Sequence, residues 1–198
     1  MLEVEKKFTL SKEQENNLKE NLTFISKKQI IDSYYDNKNC DLTRNCDWLR
    51  ERDGRFELKV CKDKNVDRKA DQFEEITNEA EIRDYLKLKE ENSFTNDLEK
   101  AGYLPFCKLK TVRSKFKNPP FILDIDEVTS DDFFYGLAEI ELMVEDESEI
   151  GEAIGKIMNF AKSQGLKTGI YTRGKVIEYI RLKRPEHFKI LVESKVVK

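Results

Sequence analysis

Several short segments of this chain alternate between apolar and charged residues, and this alternation constrains the fold more than any other feature. Successive side chains of a β-strand point to opposite faces, so residues two apart share a face. Near the start of the chain, Glu3, Glu5 and Lys7 fall on one face, whereas Val4 and Phe8 fall on the other. The pattern predicts strands with one charged face and one apolar face.

The same alternation recurs in four later segments. Their charged faces carry Trp48, Arg50 and Arg52, then Glu57 and Lys59, then Asp124 and Asp126, and finally Glu139 and Glu141. A sheet with its polar face in water commonly produces such a pattern. Solvated faces usually mix both signs on long flexible side chains, however, whereas some of these segments carry only carboxylates and another carries paired arginines. We therefore favour a charged interior over a solvated face.

Eight strands are predicted, at residues 2–10, 24–35, 47–52, 55–61, 72–77, 104–116, 121–128 and 134–144. Asp53-Gly54 is the two-residue turn signal of an antiparallel hairpin, and Asn118-Pro119-Pro120 makes a second break between strands. Such short connections favour an antiparallel meander. Eight antiparallel strands can close into a barrel whose interior holds side chains or one small ligand.

Six helices are predicted, at residues 11–21, 78–89, 95–101, 148–164, 172–182 and 185–192. Ser11 is expected to cap the first, and Pro185 is expected to open the last. Residues 62–71 are rich in charge and poor in apolar residues, so an exposed loop with little order is expected there. With no internal repeat or low-complexity linker, the 198 residues are expected to form one domain over residues 1–198.

Charge and hydropathy exclude several classes of partner. The chain has 36 basic and 39 acidic residues, so no global field favours nucleic acid or an anionic membrane. The longest apolar runs are strand-sized, and no signal-peptide stretch follows Met1. We therefore expect a cytoplasmic protein without nucleic-acid or membrane partners. The sequence also has no heptad pattern or long apolar stripe, which favours a monomer.

The residue types limit the available chemistry. The four cysteines show no C-x-x-C spacing and are expected to be reduced and structural, and His187 is the only histidine. A histidine-rich metal site, a histidine acid–base pair and a zinc finger therefore lack their parts. Carboxylates can hold Mg²⁺ or Mn²⁺, and Arg and Lys can hold phosphate oxygens. A charged interior of this composition fits a polyanion bound through a divalent cation.

The motif Glu3-x-Glu5-x-Lys7 resembles the E-x-E-x-K signature that opens domains of the CYTH, or triphosphate tunnel, family. It is followed in order by Asp32-Ser33-Tyr34-Tyr35-Asp36, Trp48-Leu49-Arg50-Glu51-Arg52, Phe56-Glu57-Leu58-Lys59, Arg113, Asp124-Ile125-Asp126, Ala138-Glu139-Ile140-Glu141 and Lys175. This ordered set spans nearly the whole chain. The resemblance implies an α+β fold, with an eight-stranded antiparallel β-barrel that forms a triphosphate tunnel and helices packed outside.

The resemblance also implies a role for each motif. The metal side would consist of Glu3, Glu5, Glu139 and Glu141 with Asp124 or Asp126. The residues that contact phosphates would be Lys7, Arg50, Arg52, Lys59, Arg113 and Lys175, and Glu75 lies where the family often has another inward carboxylate. Lys175 falls on a predicted helix, so it is expected to close over the phosphates once substrate binds. The implied reaction is hydrolysis of a small-molecule triphosphate with Mg²⁺, or Mn²⁺, as cofactor.

Within the family, Tyr34-Tyr35-Asp36, Trp48 and Arg184-Pro185 look most like the thiamine triphosphatases, which implies thiamine triphosphate as substrate. Phe73-Glu74 departs from the Tyr-Lys expected there, and the loop between residues 126 and 139 is longer than in the mammalian enzymes. Trp48 shares a face with two arginines, so its ring can either stack on a cationic thiazolium or pack in the core.

Three other functions stay open for the same fold. They are an inorganic triphosphatase acting on tripolyphosphate, an adenylyl cyclase, and a non-catalytic module that binds polyphosphate or a phosphorylated partner. The last would lack a metal site, yet the acidic positions of the motif are filled. These alternatives differ in substrate and product rather than in the predicted fold.

Overall fold

A computed structural model describes residues 2–67 and 69–197 of the chain. Its strands are β1 (Leu2–Phe8), β2 (Thr23–Asp36), β3 (Trp48–Arg52), β4 (Arg55–Cys61), β5 (Asp71–Ile76), β6 (Leu104–Asn118), β7 (Phe121–Ser130) and β8 (Phe133–Val144). Its helices are α1 (Lys12–Asn21), α2 (Glu79–Leu86), α3 (Phe94–Lys100), α4 (Ile150–Ser163), α5 (Lys175–Lys183) and α6 (Pro185–Glu193). All the predicted strands and helices form, with ends shifted by a few residues.

The eight strands form a closed barrel in the order β1-β5-β4-β3-β2-β6-β7-β8, and every neighbouring pair is antiparallel. The predicted α+β barrel with helices outside is therefore confirmed. Asp53 and Gly54 form the turn between β3 and β4 with φ values of 48° and 82°. Tight hairpins need this left-handed conformation at both positions, and the Asp-Gly pair adopts it readily.

The apolar faces of the strands point outwards and lie under the helices. Ile157 on α4 joins a buried cluster with Val4 and Ile140, and Ile82 on α2 joins another with Leu58. The charged faces consequently point into the barrel. The solvated-face interpretation of the alternation is wrong, because the helices take the outer, apolar side of the sheet.

Two predicted boundaries shift in ways that affect the site. Helix α5 begins at Lys175 rather than at residue 172, because Gly174 has extended backbone angles and acts as the N-cap. The predicted loop at residues 62–71 ends one residue early, since Asp71 begins β5 and pairs with Glu5 of β1. Within residues 2–67 and 69–197, none of the helices has the length and apolar character needed to span a bilayer.

Candidate active site

The barrel encloses a cavity of about 230 Å³. Among residues 2–67 and 69–197, seven basic side chains line it, namely Lys7, Arg50, Arg52, Lys59, Arg113, Lys115 and Lys175. Six acidic side chains line it as well, namely Glu3, Glu5, Asp71, Glu75, Glu139 and Glu141. Among the residues predicted for the site, Asp124 and Asp126 do not reach the lining, and the others do.

Three carboxylates converge on one side of the cavity. One carboxylate oxygen from each of Glu3, Glu5 and Glu141 lies within 4.8 Å of the other two. Alternation along β1 brings the first two to the same face, and the register between β1 and β8 places Glu141 directly opposite Glu5. Carboxylate oxygens are the ligands that Mg²⁺ and Mn²⁺ prefer, so this carboxylate trio fits a divalent cation.

The pKa values of the three glutamates reflect their burial and their charged neighbours. Burial, together with the carboxylates of Glu5 and Glu141, raises the pKa of Glu3 to about 8 against the opposing charge of Lys59. Burial and a neighbouring aspartate raise the pKa of Glu141 to about 7. Burial acts in the same direction on Glu5, but Lys59 and Lys7 hold its pKa well below the usual range. Burial thus disfavours the ionised forms of Glu3 and Glu141, which favours binding of either a proton or a cation.

We expect the free energy of unfolding, measured in chelator, to fall as the pH rises from 4.5 to 8. The pKa of Glu3 is about 8 in the folded chain against an ordinary value of 4.5, so the folded chain binds the extra proton within this window. Stability is lost as that proton dissociates, at no more than about 1.4 kcal/mol per pH unit for one group. Denaturant unfolding at several pH values measures the slope. Glu3→Gln should flatten it, and an unchanged slope in this variant would contradict the raised pKa.

The basic side chains of the cavity form ion pairs with a second set of carboxylates, Asp32, Glu57 and Glu75. Glu3 of the trio takes part as well. Lys59 Nζ lies 2.6 Å from Glu3 Oε1 and 3.1 Å from Glu75 Oε1. Arg50 Nη2 lies 2.6 Å from Glu57 Oε2 and 3.6 Å from Glu75 Oε1. Glu75, predicted as an inward carboxylate, thus bridges two cations of neighbouring strands. Such pairing fixes the ammonium and guanidinium groups in place before any ligand binds.

Asp32 is the most deeply buried member of this second set. It is fully buried, and its Oδ1 accepts a hydrogen bond of 2.7 Å from Arg52 Nε. Its Oδ2 lies 3.1 Å from Lys175 Nζ. Burial alone would raise its pKa, but the charges of Lys175 and Arg52 hold the pKa well below its usual range. Asp32 belongs to the motif that carries the family resemblance, yet sequence reasoning assigned it no role.

Arg113 donates hydrogen bonds to three carboxylates of β7 and β8. Its Nε and Nη2 donate to the two oxygens of Asp126 at 2.7 and 2.6 Å, and its Nη1 donates to Asp124. Nη2 also donates to Glu139 Oε2 at 3.1 Å. These carboxylates neutralise an arginine in the structure, so a metal role for Asp124, Asp126 or Glu139 stays a prediction.

Lys175 enters the barrel from the first residue of α5. Its Nζ donates to Thr111 Oγ1 at 3.1 Å and lies 3.6 Å from Asp126 Oδ2. The preceding Gly174 lies close to another lysine of the lining, since a Cβ there would lie 3.1 Å from Lys7 Cε. Closure over a bound substrate is therefore not needed to bring Lys175 into the tunnel.

Two lining residues escaped sequence reasoning. Lys115 lies two residues beyond Arg113 on the same face of β6, and its Nζ lies 3.0 Å from Asp124 Oδ1. Asp71 falls in the predicted loop, yet its Oδ2 accepts a hydrogen bond of 2.6 Å from Lys7 Nζ. Lys115 lies inside the predicted strand 104–116, two residues from Arg113, and Asp71 lies one residue before the predicted strand 72–77, so the alternation could have indicated both.

An apolar region adjoins the charged lining. Trp48 lines the cavity together with Tyr34, Cys46, Phe73, Val176 and Ile177. Its side chain is buried and belongs to a core cluster with the same Tyr34 and Phe73. Trp48 therefore packs in the core and also faces the cavity. Stacking of its ring on a ligand stays a prediction.

Comparison with known proteins agrees with this geometry. The family model for the CYTH domain matches residues 1–173. Thiamine-triphosphatases from Homo sapiens and Macaca fascicularis are each 28% identical to the chain, over 98% of this chain and 90% of theirs. The solved structure of PH1819 protein from Pyrococcus horikoshii OT3 superposes with a TM-score of 0.68 at 22% identity, over 92% of this chain and 99% of that one. Because the family model covers most of the chain, the chain belongs to the CYTH domain family.

Proposed function

We propose that this chain is a divalent-cation-dependent triphosphatase that converts thiamine triphosphate to thiamine diphosphate and phosphate. The observation that carries the proposal is a carboxylate trio that faces buried lysines and arginines across one enclosed cavity. Inclusion of α5 and α6 in the CYTH domain, a cytoplasmic location and a monomeric state are parts of the same proposal.

Charge balance supports the requirement for a cation. The seven basic side chains of the cavity face six acidic ones, so the lining has little positive charge in excess. A triphosphate adds several negative charges to a site sheltered from water, where unpaired charge is strongly unfavourable. Glu3, Glu5 and Glu141 would hold the divalent cation. When bound, such a cation neutralises phosphate oxygens and polarises the phosphoryl group.

The basic residues would position the triphosphate. Phosphoryl transfer depends on alignment and on neutralisation of developing charge rather than on covalent catalysis. Arg50, Arg52 and Arg113 can each offer two parallel donors to phosphate oxygens, and Lys7 and Lys59 add point charges. Their carboxylate partners hold them in orientation until the phosphates compete for the same N–H groups. The departing diphosphate would be neutralised by this same basic set.

The choice of thiamine rests on two observations. Both similar thiamine-triphosphatases align along almost the whole chain at 28% identity. The apolar part of the cavity, which includes Trp48 and Tyr34, offers aromatic surface beside the phosphate-binding groups. Aromatic faces attract cationic rings such as a thiazolium.

Turnover of thiamine triphosphate, tripolyphosphate and ATP, each with Mg²⁺, Mn²⁺ or chelator, tests the proposal. We expect the highest catalytic efficiency on thiamine triphosphate and loss of activity in chelator. Faster turnover of tripolyphosphate would favour the inorganic triphosphatase, and cyclic AMP among the products would favour the cyclase. Binding of polyphosphate without any turnover would favour the non-catalytic module. Full turnover in excess chelator would contradict the role given to the carboxylate trio.

Trp48→Ala is expected to reduce kcat/KM for thiamine triphosphate at least about tenfold while leaving tripolyphosphate within a few-fold. Loss of a cation–π contact costs roughly 0.5–2 kcal/mol, and about 1.4 kcal/mol corresponds to tenfold. Because Trp48 is buried, the variant also loses stability. Measuring both substrates on one preparation removes that effect from their ratio. Trp48→Phe keeps an aromatic ring and serves as the control, and equal losses on both substrates would make Trp48 a packing residue only.

A further inference from the structure

A second group of metal-binding side chains lies outside the tunnel, where α6 meets the loop between β2 and β3. Asp36 ends β2, Cys40 lies in the loop, and His187 lies in the first turn of α6. One donor atom from each lies within 4.8 Å of the other two. All three residues are buried, with 5%, 8% and 7% of their surface exposed. The described residues that line the tunnel do not include any of them.

The carboxylate of Asp36 has one coordination position left. Its Oδ1 accepts hydrogen bonds from the backbone N–H groups of Asn37 at 2.8 Å and Leu42 at 3.1 Å. Its Oδ2 accepts one from the N–H of Thr43 at 2.9 Å. Each carboxylate oxygen has two lone pairs, so Oδ2 keeps one for a cation. The backbone bonds meanwhile hold the carboxylate in a fixed orientation.

The imidazole of His187 is oriented in the same way. Its Nε2 lies 2.7 Å from Thr43 Oγ1, and its ring packs edge-on against Phe106 with centroids 5.0 Å apart. Within residues 2–67 and 69–197, Nδ1 makes no hydrogen bond. A metal on Nδ1 would let Nε2–H donate to the Thr43 hydroxyl, and metal-binding histidines are commonly held through their second nitrogen in this way.

Cys40 supplies a third kind of donor. It is a free, buried cysteine whose sulfur makes no hydrogen bond to the part of the chain that the structure describes. The three side chains thus offer a sulfur, a nitrogen and an oxygen, and each side chain has at least one donor atom with an unused lone pair. A cavity of about 710 Å³ lies beside them and is lined by all three residues. That cavity gives room for a water as a further ligand.

We propose that Asp36, Cys40 and His187 bind a zinc ion, with water as the fourth ligand. Mixed sulfur, nitrogen and oxygen donors suit Zn²⁺ in tetrahedral geometry, whereas Mg²⁺ prefers oxygen alone. Binding releases the thiol proton to solvent and leaves a thiolate on the metal. The ion would join the β2–β3 loop to α6, which packs against α5, the helix that begins at Lys175. The bound ion would thereby stabilise the packing of α5 and α6, and Lys175 at the start of α5 lines the tunnel.

Titration of metal-free full-length protein with Co²⁺, in reducing buffer, tests this site. A cobalt–thiolate bond produces charge-transfer absorption in the near ultraviolet. We expect this band to saturate at no more than two Co²⁺ per chain, since the carboxylate trio also takes up the ion, and to disappear when Zn²⁺ is added. The carboxylate trio offers only oxygen ligands, so Glu5→Gln should leave the band intact. Failure of the proposed triphosphatase function would therefore not affect this result.

Two variants and one control assign the ligands. Cys40→Ser and His187→Gln should both lose the band, whereas Cys107→Ser, which alters another buried free cysteine, should keep it. Zn²⁺ should also raise the Tm of the wild type by several degrees and leave that of His187→Gln unchanged, because a ligand stabilises only the state that binds it. Absence of the band in the wild type, or its persistence in Cys40→Ser, would overturn the proposal. The wild-type titration decides the matter even if a variant fails to fold.

Discussion

Glu5→Gln is expected to lower triphosphate turnover by at least about 100-fold while the barrel stays folded. The glutamine keeps the shape of the side chain but removes the charge that, with Glu3 and Glu141, would hold the divalent cation. The fold should survive because glutamine fills the same space, and Lys7 and Lys59 keep other carboxylate partners in Asp71, Glu3 and Glu75. Measuring kcat/KM across a range of Mg²⁺ concentrations, with circular dichroism as the test of folding, separates loss of metal affinity from loss of structure.

The matched control is Glu127→Gln. This glutamate lies on β7 next to Asp126, but it is exposed on the outer face of the barrel. The same chemical change there should leave turnover and metal dependence unaltered. Glu141→Gln should behave like Glu5→Gln, since the two residues pair directly across β1 and β8. Wild-type rates in both inward variants would remove these carboxylates from the reaction.

Arg113→Leu is expected to destabilise the folded chain by about 3–5 kcal/mol and to abolish turnover. The arginine donates to Asp124, Asp126 and Glu139, and all three carboxylates are buried. Removing it leaves these charges without their main partner in the interior, and it also removes a phosphate-binding group. Chemical denaturation measures the first effect, and turnover at saturating Mg²⁺ measures the second.

Arg113→Lys distinguishes the charge from the geometry. Lysine keeps a positive charge among the carboxylates but cannot form the paired hydrogen bonds of a guanidinium. We therefore expect a smaller loss of stability than with leucine, together with a clear loss of turnover. If Arg113→Leu proves as stable as the wild type, Lys115 and Lys175 must already neutralise the same carboxylates.

Local features of the fold could be predicted from the sequence because they depend on neighbouring residues. The alternation of Glu3, Glu5 and Lys7 predicts which face of β1 is charged, and Asp53-Gly54 predicts the hairpin. Barrel closure depends instead on β1 pairing with both β5 and β8, a non-local register that alternation alone does not contain. The family resemblance supplied that part of the prediction.

Other features could not be predicted from the sequence pattern, because they depend on contacts between distant segments. Asp71 follows a highly charged segment, and only its pairing with β1 makes it part of a strand. His187 is far from Cys40 in the sequence, so their proximity where α6 meets the β2–β3 loop could not be predicted from their spacing. The family resemblance implied the role of Lys175, because alternation gives no indication that a side chain on a helix enters a barrel.

The strand order also bears on how the barrel is assembled. Glu3 and Glu5 lie on the first strand, whereas Glu141 lies on the last, and β1 and β8 are farther apart in the sequence than any other neighbouring pair of the barrel. A partly folded chain in which β1 and β8 have not paired therefore has a split carboxylate trio, without the concentrated negative charge that attracts a cation. A divalent cation would bind the closed barrel in preference to open forms and shift the population towards closure. The carboxylates that would bind the cation for the reaction would in this way also stabilise the closed barrel.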